Sequence, residues 1–293
     1  MKYIRYSDMN FSVKAQLDQV SSRVWVTDYQ TDNPAALSAF LLDLAHRRGL
    51  DKIIFPVRPG DERKFKGEGF YAEGTIRGYF DGTDACFLAA FPSHQRAVSR
   101  YLSKELKMLR EILQRPKTPR KKISQNFSIG PASAKDAPAM SFLFRKVFAS
   151  YPTPVHEPLY LTKAMEKGDI YMVAYCGDRL AGVSSAEIQQ DQRRAELTNC
   201  AVDEDFGGEG LITCILEKIA NICLSRNINC LYSLARASSY GMNLVLHRLG
   251  YTYSGTMTNN CHIGGRFENM NIWVRPSGGQ ENKRKKFLFH QTT

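Results

Sequence analysis

Residues 195–216 read A-E-L-T-N-C-A-V-D-E-D-F-G-G-E-G-L-I-T-C-I-L. Ala195 to Val202 is short and apolar-leaning with β-branched members, which predicts a buried strand. Asp203 to Glu209 carries Gly207 and Gly208 and predicts a turn. From Gly210 onward Leu211, Ile215, Leu216, Ile219 and Ile222 recur at helical spacing. A strand, a glycine-rich turn and a helix aim free backbone N–H groups at one point, and the helix dipole adds roughly half a positive charge there. The stretch therefore predicts an anion site. It is not a Walker loop, because no Gly-Lys-Ser/Thr follows, and it lacks the G-x-G-x-x-G of a dinucleotide site.

Length and composition bound what surrounds this site. A chain of 293 residues, 43% hydrophobic, is long enough for one large or two small packed domains. No apolar run approaches a membrane span, and the N-terminus has no apolar signal-peptide core. Seven cysteines without a C-x-x-C point to reduced cytoplasmic thiols and to no metal. The net charge of +11 is unevenly placed: Arg115 to Lys122 holds five positive charges and the tail after Pro276 a net three. The remainder is near balance, which argues against a nucleic-acid footprint and for a solvated linker and tail.

Away from the anion loop, the chain punctuates itself into alternating elements. Residues 11–31 alternate as strands do, and Asn33-Pro34 opens a helix that Gly49 closes. Lys52 to Val57 reads as a buried strand, and Phe70 to Phe80 with Ala85 to Phe91 as a hairpin around Asp81-Gly82. Gln95 to Leu113 reads as one amphipathic helix. The boundaries are an N-terminal α/β domain (1–113), a basic proline-containing linker (114–125), a second domain (126–276) and a basic tail (277–293). In the second domain a strand over 127–132, helices over 136–151 and 158–166, and strands over 170–175, 180–189 and 194–202 lead to the anion loop. The loop helix, a strand over 229–235, a helix over 240–249 and a closing hairpin follow.

The order β-α-α-β-β-β-α-β-α-β-β resembles that of the GNAT acetyltransferases. Gly208-Glu209-Gly210 is similar to the G-x-G of their R/Q-x-x-G-x-G/A loop, and residues 195–202 resemble their A-E-I-…-C-A-I strand. The implied fold is α/β (α+β), with a mixed, mainly antiparallel twisted sheet. The resemblance implies acetyl-CoA as acetyl donor. Its pyrophosphate would lie on Gly207, Gly208, Glu209, Gly210, Leu211 and Ile212, and its pantetheine arm along Cys200, Ala201 and Val202, with Asn243 in contact. Glu196 takes the position of the general base, with Glu187 on the neighbouring strand as runner-up. The family's usual tyrosine acid is replaced by Leu246, which leaves Tyr240 as the candidate acid. Gly207 stands where the loop usually has Arg or Gln, and Ile212 where it has Gly or Ala.

Longer stretches narrow the resemblance. Residues 69–85, Gly241-Met242-Asn243 and residues 259–273 are similar to β-lysine N6-acetyltransferases, whose product is a compatible solute. That substrate has two amines and a carboxylate. Glu196, Glu187 and Glu268 are candidates for the amines, and Arg236, Asn259, Asn260 and Asn271 for the carboxylate. A polyamine or protein-lysine acetyltransferase is the alternative enzyme, and a basic nucleic-acid-binding protein the alternative of another class. Internally, G-F-Y-A-E-G-T at 69–75 echoes G-Y-T-Y-S-G-T at 250–256, which suggests that the N-terminal domain is a degenerate half-module of the same fold.

Overall fold

The computed structural model describes residues 2–117 and 123–276. The middle of the basic linker and the tail from 277 lie outside the described residues. The first half runs β1 (Lys2–Ser7), β2 (Phe11–Asp18), β3 (Arg23–Thr31), α1 (Pro34–Arg47), β4 (Lys52–Val57), α2 (Glu62–Lys66), β5 (Tyr71–Phe80), β6 (Thr83–Ala90), α3 (His94–Ala97) and α4 (Leu102–Gln114). The second half runs β7 (Phe127–Pro131), α5 (Ala137–Val147), α6 (Pro158–Glu166), β8 (Ile170–Cys176), β9 (Arg179–Gln189) and β10 (Arg194–Val202). It closes with α7 (Leu211–Ser225), β11 (Cys230–Arg236), α8 (Tyr240–Arg248), β12 (Thr252–Ile263) and β13 (Arg266–Val274).

Among the described residues, thirteen strands form one mixed sheet in the order β1-β2-β3-β4-β6-β5-β12-β13-β11-β10-β9-β8-β7. Among these strands, β3 with β4 and β10 with β11 run parallel and the other neighbours antiparallel. The order is nearly a palindrome, because β3-α1-β4-α2-β5-β6 recurs as β10-α7-β11-α8-β12-β13. The two halves thus repeat one another in element order and strand pairing.

The two halves join where β5 meets β12 at Gly74 and Gly255. Two glycines are needed for that approach: a Cβ on Gly255, at φ +151°, would lie 2.1 Å from the Glu73 carbonyl oxygen. Beside the join, the fully buried Lys52 ammonium donates to both Glu73 carboxylate oxygens (3.0 and 2.8 Å) and to the Thr258 carbonyl (2.8 Å). A buried ion pair persists only when its remaining polar valences are filled, and this one also ties the two halves together.

Several expectations change. The helix expected over 95–113 is broken into α3 and α4, and Val98 is exposed. Val98 is extended at the break, and Asn259, distant in sequence, holds it there by donating from Nδ2 to the carbonyls of Arg96 and Val98. By packing, α4 belongs to the second half, since Leu106 and Leu109 enter its core with Ile219 and Leu246. The helix expected to reach Tyr151 stops at Val147, with Phe142 exposed and Phe148 extended. That early stop turns Phe148 and Tyr151 inward. Lys2–Ser7 and Glu62–Lys66, unassigned from sequence, are a strand and a short helix.

Candidate active site

Period-two alternation puts Arg194, Glu196 and Thr198 of β10 on one face. All three line a cavity of about 300 Å³. Its walls come from both halves: Asp18, Arg23, Trp25 and Tyr79 from the first, Tyr151, Glu187 and Tyr232 from the second. Glu196 lies directly across from Glu187 in the β9–β10 register. Both carboxyls are held above the ordinary carboxylate range. For Glu196 the causes are burial first and then the neighbouring Glu187 charge, with Arg23 and the Tyr232 hydroxyl opposing. For Glu187 they are burial and Asp169, opposed by the Asn199 amide.

Beyond Glu196 the β10 backbone parts from β11. Their parallel pairing ends at Glu196 and Tyr232, and β10 bulges between Thr198 and Ala201, with Asn199 at φ +52°. A second cavity of about 90 Å³ occupies the opening, lined by Leu197 to Cys200, Ser233 to Arg236, Ser239 and Met242. The two cavities share Tyr151, Thr198 and Asn199, so they meet at the bulge. Burial pushes the Tyr151 phenol well above its ordinary value, so it keeps its proton.

The strand then delivers the anion loop. Gly208 and Gly210 adopt left-handed φ of +79° and +77°, which only glycine takes without strain. Gly210 caps α7 without a side-chain hydrogen bond, and the first turn of this 15-residue helix holds no acid. Its leading N–H groups therefore have neither an intrahelical partner nor a capping oxygen. The acids before the loop are neutralised, with Lys146 at 2.8 Å from Asp203 and Arg179 at 2.6 Å from Asp205. The donor set suits a pyrophosphate.

The structure brings Glu196, Glu187, Cys200 and Arg236 to the two cavities and does not bring the other expected side chains there. Arg236 lies in the smaller cavity, with its guanidinium over Phe148, rather than beside Glu187. Tyr240 lines neither cavity; Arg115 covers its ring. Asn243 is fully buried and saturated: Nδ2 donates to the Arg236 and Ser239 carbonyls, and Oδ1 accepts from Asn271 and Trp273. No valence is left for a coenzyme. Asn271 is used by Asn243 and Thr256, and Asn259 by Arg96, Val98 and Asn269. Asn260 is buried in β12 outside both cavity walls. Glu268 pairs with Arg266 and accepts from Ser238. These residues hold the hairpin against its neighbours. Sequence reading missed Tyr151, Tyr232 and Arg194. Arg194 was findable, since it precedes Glu196 by one strand period.

Residues 139–251 match the profile of the Acetyltransferase (GNAT) family. N-acetyltransferase YodP of Bacillus subtilis (strain 168) is 33% identical over 258 residues, 88% of this chain and 94% of that relative. This chain belongs to the GNAT N-acetyltransferase family. Two further relatives of this GNAT enzyme are named Beta-lysine N(6)-acetyltransferase. That of Methanococcus maripaludis is 28% identical, covering 89% of this chain and 95% of its own. That of Methanosarcina mazei is 29% identical, covering 82% and 96%. Among the described residues no helix is long and apolar enough to cross a membrane.

Proposed function

We propose that this GNAT enzyme transfers acetyl from acetyl-CoA to the N6 amine of β-lysine. The observation that carries the reading is the opposed carboxyl pair, Glu196 and Glu187, on the cavity wall beside the β10 bulge. A pocket for a diamine needs two anionic partners, and this pair supplies them. The relatives' names and the residue stretches noted above support β-lysine as the diamine. The walls contributed by Arg23, Trp25 and Tyr79 favour a small acceptor over a protein segment.

The coenzyme would be held by the loop N–H groups from Gly208 to Ile212 and by the free edge of β10 after Glu196, and it supplies an activated acetyl thioester. Glu196 receives the proton of the attacking ammonium, directly or through a water. A carboxyl raised toward neutrality is better matched to that transfer than an ordinary one. Glu187 holds the second ammonium. Tyr151, kept protonated by burial where the cavities meet, offers a proton on the leaving-group side.

The test is a steady-state screen with acetyl-CoA against β-lysine, lysine, spermidine and a lysine peptide. The highest kcat/KM is expected with β-lysine. Turnover of spermidine or peptide without turnover of β-lysine would overturn the reading.

A further inference from the structure

The cavity holds a cation that the reaction described so far does not use. Arg194 is only 4% exposed and opens β10 on the wall that carries Glu196. Its Nη1 donates to the Tyr79 carbonyl at 2.7 Å, its Nη2 donates to Gln189 Oε1, and its guanidinium lies 3.5 Å from the Tyr79 ring centroid. Its Nε is buried with no hydrogen-bond partner. No carboxylate among the described residues forms a salt bridge with it. A buried charge without a counter-ion is costly, and a fork with a spare donor is shaped for an anion.

The internal repeat shows that the missing counter-ion is specific to this half. Arg23 opens β3 as Arg194 opens β10, and each reaches across the join to a carbonyl of the other half, Arg23 to Asn260 and Arg194 to Tyr79. Each faces a cross-strand partner at the same register position. For Arg23 that partner is Asp18, whose carboxylate it meets at 3.0 Å. For Arg194 it is the neutral Gln189. Both arginines line the same cavity, Arg23 with an internal acid and Arg194 without one.

We infer that Arg194 anchors the carboxylate of the acceptor, so that the pocket selects a diamino acid over a bare diamine. Two opposed carboxyls and one unpaired arginine match a molecule with two ammonium groups and one carboxylate. The spacing agrees: two residues along a strand cover about 7 Å, comparable with the span from terminal amine to carboxylate in an extended diamino acid. Arg194 is a positioning residue here and takes no part in proton transfer. The inference rests on the acetyl-transfer reading above.

The test compares β-lysine with 1,4-diaminopentane, the same diamine without its carboxylate, in the wild type, Arg194→Gln and Arg194→Lys. The wild type prefers β-lysine. In Arg194→Gln the ratio of kcat/KM for β-lysine to that for the diamine falls ~10- to 100-fold, the range for a charged hydrogen-bonded contact, mainly through KM. Arg194→Lys keeps the charge without the fork and falls between; it decides the matter if Arg194→Gln shows no acetyl-CoA-dependent thermal shift. An unchanged ratio in both variants, or a wild type indifferent to the carboxylate, would overturn the inference. Should the wild type acetylate lysine and not β-lysine, the β-lysine reading fails separately. The same comparison of lysine with 1,5-diaminopentane then tests Arg194.

Discussion

Replacing Glu187 with glutamine removes one charge from the pair at the centre of the pocket and leaves its shape. Directly opposed residues on antiparallel strands have Cβ atoms about 5 Å apart, and Glu187 and Glu196 are such a pair. Two like charges at about 5 Å repel by about 3 kcal/mol at an effective dielectric of about 20. That corresponds to roughly 2 pH units at most, because side chains can splay. Ionised Glu187 holds the Glu196 carboxyl up, so a neutral amide lets it fall. The acid limb of kcat/KM, measured from pH 5 to 9 with β-lysine, is therefore expected to move down by about 1–2 units. KM should rise as the second ammonium loses its partner. The limb does not reach the ordinary glutamate value of about 4.3, because burial remains. The same repulsion acts on stability. Both carboxyls titrate higher folded than unfolded, so the ligand-free protein loses stability as pH rises from about 4.3 through the raised folded values. Glu187→Gln flattens that loss in a thermal melt. An acid limb that stays in place, or moves up, would refute the account of the pair.

Four further variants probe other parts of the account. Asn243→Ala strands the Trp273 indole N–H and the Asn271 amide in the core. It is expected to cost about 3 kcal/mol in urea denaturation with KM for acetyl-CoA unchanged. Gly255→Ala, whose Cβ would lie 2.1 Å from the Glu73 carbonyl oxygen, is expected to cost over ~3 kcal/mol or abolish folding. Gly82→Ala, at φ +97° with nothing within 4 Å, should cost only backbone strain of about 1 kcal/mol. Tyr151→Phe removes the protonated phenol and should lower kcat by about 100-fold with little change in KM, read by single-turnover kinetics.

Legibility followed how local the determining physics was. The loop announced itself because positive φ at Gly208 and Gly210 demands glycine and because α7 carries a regular apolar stripe. Ile53 to Val57 was legible as a continuous apolar run and is buried throughout. Asn33 and Pro34 marked the start of α1, and Asn33 does accept from the Ala36 N–H. The break at Val98 was not legible, because it is made by Asn259, distant in sequence. The asparagines of the closing hairpin were misread for a related reason. Polar side chains in a turn-rich stretch suggest a ligand, but Asn259 donates to the Arg96 and Val98 carbonyls and Asn271 bonds the Asn243 and Thr256 side chains. The opposed position of Glu187 and Glu196 follows from register, which alternation alone leaves free. That Arg194 faces Gln189 where its counterpart Arg23 faces Asp18 depends on strand register as well.

The most direct test is the fate of the acetyl group. β-Lysine incubated with the wild-type enzyme and acetyl-CoA labelled with ¹³C in the acetyl carbonyl, followed by NMR of the product, should show one new amide coupled to the terminal methylene at C6. The amine on C3 should stay free. Acetyl on the C3 amine, or no acetylated β-lysine while another amine is modified, would contradict the account.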